Sequence, residues 1–501
     1  MRNSLKKIIF VLAILLIATG IKAQTVIIND NCKDAYSNIL SLKFEDAQLL
    51  ISAEKIQNPS NIYILYLENY IDFLKVTISE DQELFQLLKE KVSVRINKIE
   101  KLDDTSVYKK YLIGNINLQW ATARVKFGEY ATAAFEINRA YRLLELNNEE
   151  FPEFMPNSIT LGILHIMIGI IPDSYNWILN LISMHGDVIQ GQNELKFALE
   201  ECENNSQYIF LKDEVLFYMG MINLSLNPDK NFGNYLLSKL KHTNNKNLLL
   251  KYLAINTNMK MGNNKEALKI FSTIDTNQNY YTFYYLNYLH GECLLRNMNT
   301  TMAKQQFKIF LNDFTGQNYI KRGWQKTGWA NLIEGDTASY QNAMHNVLSH
   351  GNTNIDADKN AESTAKSKTI PNIDLLKCRL LFDGGYYFKA RSILKNINYD
   401  SLSSEERAEV SYRFGRIEQR LDNTIDAKIY YKQTIETSSS FTTYYVANSA
   451  LLLGNIYEVE SDTIRAIHYY NVCLSLEFNQ YRNSIRGKAK QGLNRVSNIS
   501  D

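Results

Sequence analysis

Hydrophobic positions recur at helical spacing along most of this chain, and the spacing itself repeats. In LLLGNIYEVESDTIRAIHYYNVCLSL, Gly454, Ala466, Tyr470 and Cys473 are separated by twelve, four and three residues. The preceding unit, YRFGRIEQRLDNTIDAKIYYKQTI, places Gly415, Ala427, Tyr431 and Thr434 at the same intervals. LKCRLLFDGGYYFKARSILKNI does so with Cys378, Ala390, Leu394 and Ile397, and LHGECLLRNMNTTMAKQQFKIFL with Gly291, Ala303, Phe307 and Phe310. Two helices joined by a short polar turn account for this pattern. The small residue and the alanine mark the crossing, where backbones approach to about 8–10 Å. The large residues after the alanine fill one face at helical period. Weaker copies occur at Ala267 and Phe271, at Gly128, Tyr130, Ala133, Ile137 and Ala140, at Gly328, Tyr340 and Met344, and at Phe44, Ala47 and Ile51. About seven to nine helical pairs are expected between residues 30 and 500. The tyrosine-rich run YYTFYYLNYLHGECLL precedes Gly291 and reads as a first helix rather than a strand.

These units resemble the tetratricopeptide repeat, with longer steps: 36 residues from Ala267 to Ala303, 37 from Ala390 to Ala427 and 39 from Ala427 to Ala466. The resemblance implies an all-α, tetratricopeptide-like solenoid of antiparallel helix pairs in a right-handed superhelix. Repeats are expected over 24–348 and 371–500. The polar stretch 349–370, poor in large apolar residues, is expected to be a mobile loop.

One segment breaks the amphipathic pattern. ITLGILHIMIGIIPDSYNWILNLISMHGD begins at Ile159 with thirteen uncharged residues and then reaches Pro172. Thirteen residues of helix cover about 20 Å, short of a hydrocarbon core of about 30 Å. The region 157–185 therefore predicts two helices. The first is capped at Asn157 or Ser158 and apolar all round; the second is led by Pro172 and ended at Gly186. Its role is open between solenoid interior, a lipid or partner contact, and a membrane-dipping hairpin. Gly162, Gly169, Pro172, Gly186-Asp187, Gly191 and Leu195, with the flanking repeats, resemble the tetratricopeptide repeat protein 39 family, which includes fungal relatives linked to inclusion-body clearance and the mitochondrial outer membrane. Met184-His185 replaces that family's large residue before the Gly-Asp turn. The resemblance spans most of residues 35–475 and implies an all-helical interaction protein.

Composition adds a location and removes some functions. Residues 1–23 carry Arg2, Lys6 and Lys7, an apolar run and a small residue at Ala23, the layout of a cleaved signal peptide. The protein is therefore expected to be exported to the periplasm or outer membrane of a bacterial envelope. Without this segment the formal charge falls from +2 to −2, since it holds four basic residues and no acidic ones. A near-neutral chain without a long basic run disfavours nucleic-acid partners. Five scattered cysteines without a C-x-x-C pair read as small buried residues, not a zinc or redox site.

The chemistry-bearing residues are sparse. His165 lies in the apolar run and reads as packed; His185, beside Gly186-Asp187, is weakly suggestive; His345 and His350 do not share a helix face. No nucleophile elbow, zinc motif or phosphate loop occurs. No catalytic, cofactor or metal site is expected. Trp324 and Trp329, flanking Gly328, are either inter-repeat packing or an aromatic contact in a groove. With Tyr281 and Tyr285 they are the candidate partner-contacting residues. The expected function is a non-enzymatic scaffold that holds a protein or peptide partner in the concave face of the array. The alternative is a membrane-associated carrier of lipid or another apolar ligand, using residues 159–182.

Overall fold

The computed structural model describes residues 24–171, 184–226, 229–241, 246–275, 277–437, 443–478 and 480–497. The leader pattern at 1–23 and the Pro172-led helix lie outside them. The described chain is all-α, with a single isolated bridge between Thr25 and Asn61 as its only β feature. In order, the helices are α1 (Asp30–Leu40), α2 (Phe44–Gln57), α3 (Tyr63–Ser79), α4 (Gln82–Ile99), α5 (Val107–Lys126), α6 (Tyr130–Glu150), α7 (Pro156–Gly169), α8 (Val188–Asn204), α9 (Lys212–Ser225), α10 (Lys230–Leu240), α11 (Leu248–Met261) and α12 (Asn264–Ser272). There follow α13 (Tyr284–Arg296), α14 (Thr300–Asp313), α15 (Ile320–Ile333), α16 (Thr337–Ser349), α17 (Asp356–Ser367), α18 (Ile373–Asp383), α19 (Tyr387–Lys395), α20 (Ser404–Arg420), α21 (Thr424–Thr437), α22 (Tyr444–Val459), α23 (Thr463–Ser475) and α24 (Arg482–Ser497). They form two compact units. The first comprises the chain to Lys260 with Lys269–Leu286 and Asp313–Gln317, and the second Met261–Leu268, Asn287–Asn312 and the chain from Asn318.

In the second unit the repeat spacing has a direct steric origin. A Cβ built on Gly291 would lie 2.7 Å from the Phe307 ring. On Gly415 it would lie 2.7 Å from Tyr431, on Gly454 2.6 Å from Tyr470, and on Gly328 2.7 Å from Met344. Each glycine accepts the large side chain sixteen residues later in its partner helix. Cys378 and Leu394 keep that spacing, both buried. Ala303, Ala390, Ala427 and Ala466 are fully buried. Seven residues after the small position the turn passes through the left-handed region, at Met298, Gly335, Gly385, Asp422 and Ser461. Gly454→Leu is expected to cost about 2–3 kcal/mol through overpacking against Tyr470, read as a lower urea midpoint. Partial recovery is expected in Gly454→Leu/Tyr470→Leu, and an unchanged midpoint for the single variant would refute the crossing.

The polar stretch 349–370 is not wholly a loop: Asp356–Ser367 forms α17. Its hydrophobic contribution is two alanines, Ala361 and Ala365, both buried. Asp358, also buried, accepts from the backbone N–H of Tyr319 at 2.7 Å and of Arg322 at 2.9 Å, closing the first turn of α15.

In the first unit, Trp120 of α5 is fully buried and donates to Asn69 of α3 at 2.9 Å, while Asn69 donates to Gln119 at 2.8 Å. The pair α9 and α10, unmarked in the sequence reading, uses the same sixteen-residue contact: a Cβ on Gly220 would sit 2.8 Å from Leu236. Helix α7 starts at Pro156, one residue before the expected cap, because proline at the first helical position forfeits no hydrogen bond. Ile159, Leu161, Leu164, Ile166 and Ile168 are all buried, while Ile163 and Met167 on the remaining side are half-buried and Ile170 just past the helix is exposed. No helix among the described residues is long and apolar enough to cross a membrane.

Helices α7 and α8 meet backbone to backbone. A Cβ on Gly191 would lie 2.3 Å from the Gly162 carbonyl oxygen, one on Gly169 2.8 Å from the Val188 nitrogen, and one on Gly186 2.7 Å from the His165 carbonyl oxygen. Asp187 caps α8 by accepting from the N–H groups of Ile189 and Gln190. His165 is clamped in this crossing, its Nδ1 2.7 Å from Glu194 and its Nε2 3.5 Å from Glu145. Burial opposes its charge, but hydrogen bonds to Glu145 and Glu194 raise it to about 9. The folded imidazole thus holds its proton above the unfolded range near 6.5. The resulting stability is complete below about pH 6.5 and lost as pH rises through about 9. Relative to His165→Gln, the wild-type melting temperature should fall across that window by the equivalent of about 1–2 kcal/mol after solvent screening. Parallel curves would refute a charged His165.

All five cysteines are buried. Burial pushes the Cys202, Cys293 and Cys378 thiols up to about 12, and those of Cys32 and Cys473 up to about 11.

Candidate functional site

The first helices of the C-terminal pairs carry two stripes. One bears the small residue that meets the helix's own partner. The other begins at the next position: Arg379 follows Cys378, and Arg416 follows Gly415. One turn from these lie Asp383 on α18 and Tyr412 on α20, while α22 offers Tyr444 and Asn448, again a turn apart, and α24 offers Ser484 and Lys488. Together these stripes bound a pocket of about 250 Å³.

Its interior is organised around Tyr412. The Tyr412 hydroxyl accepts from Arg416 Nη1 at 3.1 Å and from Asn448 Nδ2 at 2.7 Å, which leaves its own proton free to donate. The Arg416 guanidinium lies 4.5 Å from the Phe382 ring centre, and that of Arg379 lies 5.3 Å from the Trp329 ring centre. Arg413 is paired within its own helix, donating from Nε to Glu409 at 2.7 Å. By contrast, Arg379, Arg416 and Lys488 have no carboxylate within 4.0 Å among the described residues. Burial, with Tyr412 beside it, pushes the Tyr444 phenol up to about 12 against the pull of Arg379 and Arg413, so it remains a donor. The pocket thus presents cations and hydroxyl donors between aromatic faces, with Asp383 as its one lining carboxylate. Guanidinium groups held by stacking keep their fork available for a carboxylate or another oxyanion.

The same register continues on the preceding helices. Glu292 follows Gly291 and Trp329 follows Gly328. Burial works against the Glu292 charge, but Lys326, Arg296 and Arg322 hold its carboxyl down to about 2. Lys326, ion-paired with Glu292, is pushed down to about 7, first by burial and then by Arg322 and Arg296 despite Glu292. One carboxylate among so many cations stays ionised, and the buried Lys326 ammonium is the cation most weakened by its surroundings.

Of the aromatic residues singled out from the sequence, Trp329 is 4 % exposed. Arg322, Lys326 and Arg379 lie over its ring at 5.2, 4.5 and 5.3 Å, so it reaches the pocket only by positioning Arg379. Trp324 is half-buried against the His350 ring, 6.0 Å away. Tyr281 and Tyr285 belong to the first unit. Tyr281 packs on Phe44 at 5.0 Å and its N–H donates to Leu42 at 2.7 Å; Tyr285 lies 6.3 Å from Tyr252. The arginines are not singled out by the sequence pattern, because a lone charged residue after a small one reads as an ordinary solvated helix position. The available signal was an arginine immediately after the small residue in two consecutive repeats. His185 is exposed, its N–H donating to the Tyr141 hydroxyl at 3.3 Å. No metal-holding cluster occurs among the described residues.

No protein-family model matches the chain, and no curated protein does. Among solved structures, it is similar to yeast Tom70, at 12% identity and a TM-score of 0.24, over 94% of this chain and 98% of that one. It is also similar to the APC/C hetero-tetramer Cut9-Hcn1, at 11% identity and a TM-score of 0.23, over 92% and 95%. Scores this low carry no inference about ligand or partner.

Proposed function

We propose that the protein is a non-enzymatic binding scaffold and that the pocket formed by α18, α20, α22 and α24 holds an acidic peptide segment of a protein partner. The observation that carries this reading is the pair of guanidinium groups, Arg379 and Arg416, positioned by Trp329, Phe382 and Tyr412, neither in a direct ion pair with a described carboxylate and both facing a lining whose one carboxylate is Asp383. Partly desolvated cations that outnumber the one carboxylate in their lining favour an anionic occupant, because the cost of removing them from water has already been met by the fold. The aromatic rims at Tyr444 and Tyr481 supply rigid contact area beside them. The leader pattern at 1–23 supports placing the scaffold in a bacterial envelope, exported to the periplasm or outer-membrane surface. The likeness of the Gly162–Leu195 region to the tetratricopeptide repeat protein 39 family supports shared architecture, and none of that family's cellular roles is assigned.

Fluorescence anisotropy with labelled peptides tests the reading. A glutamate- and aspartate-rich peptide should bind at low salt and weaken as ionic strength rises past about 0.1 M, where the screening length falls to about 10 Å. Its lysine-substituted counterpart should not bind. Equal binding of both, or salt-independent binding, would sink it.

A further inference from the structure

The first unit contains a pocket of different chemistry, about 180 Å³ in volume. It forms where the N-terminal ends of α3, α5 and α7 meet the 3₁₀ turn Ile209–Leu211 ahead of α9. Its walls are aromatic. Phe154 makes edge contacts with Tyr108 at 5.3 Å and Tyr111 at 5.2 Å, and Phe210 is braced edge-on against Tyr36 at 5.5 Å. Tyr63 and Tyr208 complete the ring of phenols, and Lys33 stands in the lining.

The polar groups of this lining are uncommitted. The hydroxyls of Tyr63, Tyr108, Tyr111 and Tyr208 make no hydrogen bond with a described residue, although Tyr63 is only 2 % exposed and Tyr111 only 6 %. Lys33 has no carboxylate within 4.0 Å among the described residues. The neighbouring tyrosines behave differently. Tyr36 and Tyr70 donate to Glu214 at 2.5 and 2.6 Å, and Tyr218 at 3.3 Å. Burial pushes the Glu214 carboxyl up, and neither it nor its three donors lines the pocket. None of the four phenol oxygens is sealed away from the chamber, so hydroxyls without a protein partner and an ammonium around one small aromatic chamber suit a complementary guest that takes the place of their water. It must offer oxygen acceptors, carry negative charge and present a flat apolar body. A chamber this small, below the usual range for drug-sized ligands, admits one ring and a short arm.

We infer that this pocket binds a small aromatic carboxylate, its ring against the Phe154 and Tyr111 walls and its carboxylate met by Lys33 and the phenol hydroxyls. This site is independent of the acidic-peptide pocket in the other unit.

Isothermal titration of the full chain with phenylacetate tests it. One molecule should bind per chain with saturation below about 10 mM. Lys33→Met should weaken binding about tenfold, and Tyr111→Phe, which keeps the ring and removes the donor, several-fold. Both variants should melt with the wild type. Benzyl alcohol and benzyltrimethylammonium should give no saturable heat, and Arg416→Gln should bind phenylacetate normally. Benzyl alcohol binding as well as phenylacetate would reduce the site to a plain apolar hole, and benzyltrimethylammonium binding would make it a cation cage. Either result overturns the inference, as does no binding up to about 10 mM or wild-type affinity in both variants.

Discussion

Gly191→Val should destabilise the first unit by about 3 kcal/mol or more, lowering its thermal midpoint by about 6–12 °C. The new Cβ would sit 2.3 Å from the Gly162 carbonyl oxygen, 2.7 Å from Ile166 Cγ1 and 3.1 Å from the Ile166 nitrogen. Two of these three are backbone atoms, so no rotamer change relieves the clash. Relief requires α7 and α8 to separate. Separation in turn loosens the His165–Glu194 pair at 2.7 Å and exposes the apolar body of α7. Gly487→Ala is the control: nothing lies within 4 Å of a Cβ there, and helix propensity alone should stabilise that variant by up to about 1 kcal/mol. Melting followed by circular dichroism distinguishes the cases. If Gly191→Val melts with the wild type, the backbone contact between α7 and α8 does not exist in solution.

Arg416→Glu should reduce affinity for an acidic peptide about 100-fold while leaving the melting temperature within a few degrees of wild type. The substitution removes a cation that no described carboxylate pairs with directly and puts a repelling charge in the lining that already holds Asp383. Folding tolerates it because the Arg416 side chain is only partly buried and its one hydrogen bond goes to Tyr412 at 3.1 Å. Tyr412→Phe should have a smaller, several-fold effect by releasing both Arg416 and Asn448. Retention of peptide affinity in Arg416→Glu would remove the pocket from consideration.

The helix pairs were legible because a crossing needs one small residue and one large partner at fixed distance along the chain, and both show in the letters. Gly291 with Phe307, Gly415 with Tyr431, and Gly454 with Tyr470 are contacts as well as a spacing. Gly220 with Leu236 obeys the same rule but has no alanine between them, which hid it. Helix α17 was hidden for another reason: a helix that buries only Ala361 and Ala365 has almost no apolar stripe, and its anchor is Asp358 accepting from the turn at Tyr319. The glycines of α7 and α8 were visible only as a resemblance. Their cause, carbonyl oxygens at the crossing, is a fact of three dimensions. The arginine pocket falls between these cases. Its residues sit at a fixed repeat offset, but one position along a helix gains meaning only when four helices place their offsets side by side.

The sealed thiols have a practical consequence for chemistry on this molecule. Because Cys32, Cys202, Cys293, Cys378 and Cys473 act as spacers between helices rather than as nucleophiles, the native chain should be silent toward maleimides. A single cysteine introduced on the surface, for instance at Ser484 beside the arginine pocket, would then be the sole handle for a crosslinker or a dye. The natural background needs no deletion before a captured partner is fished out.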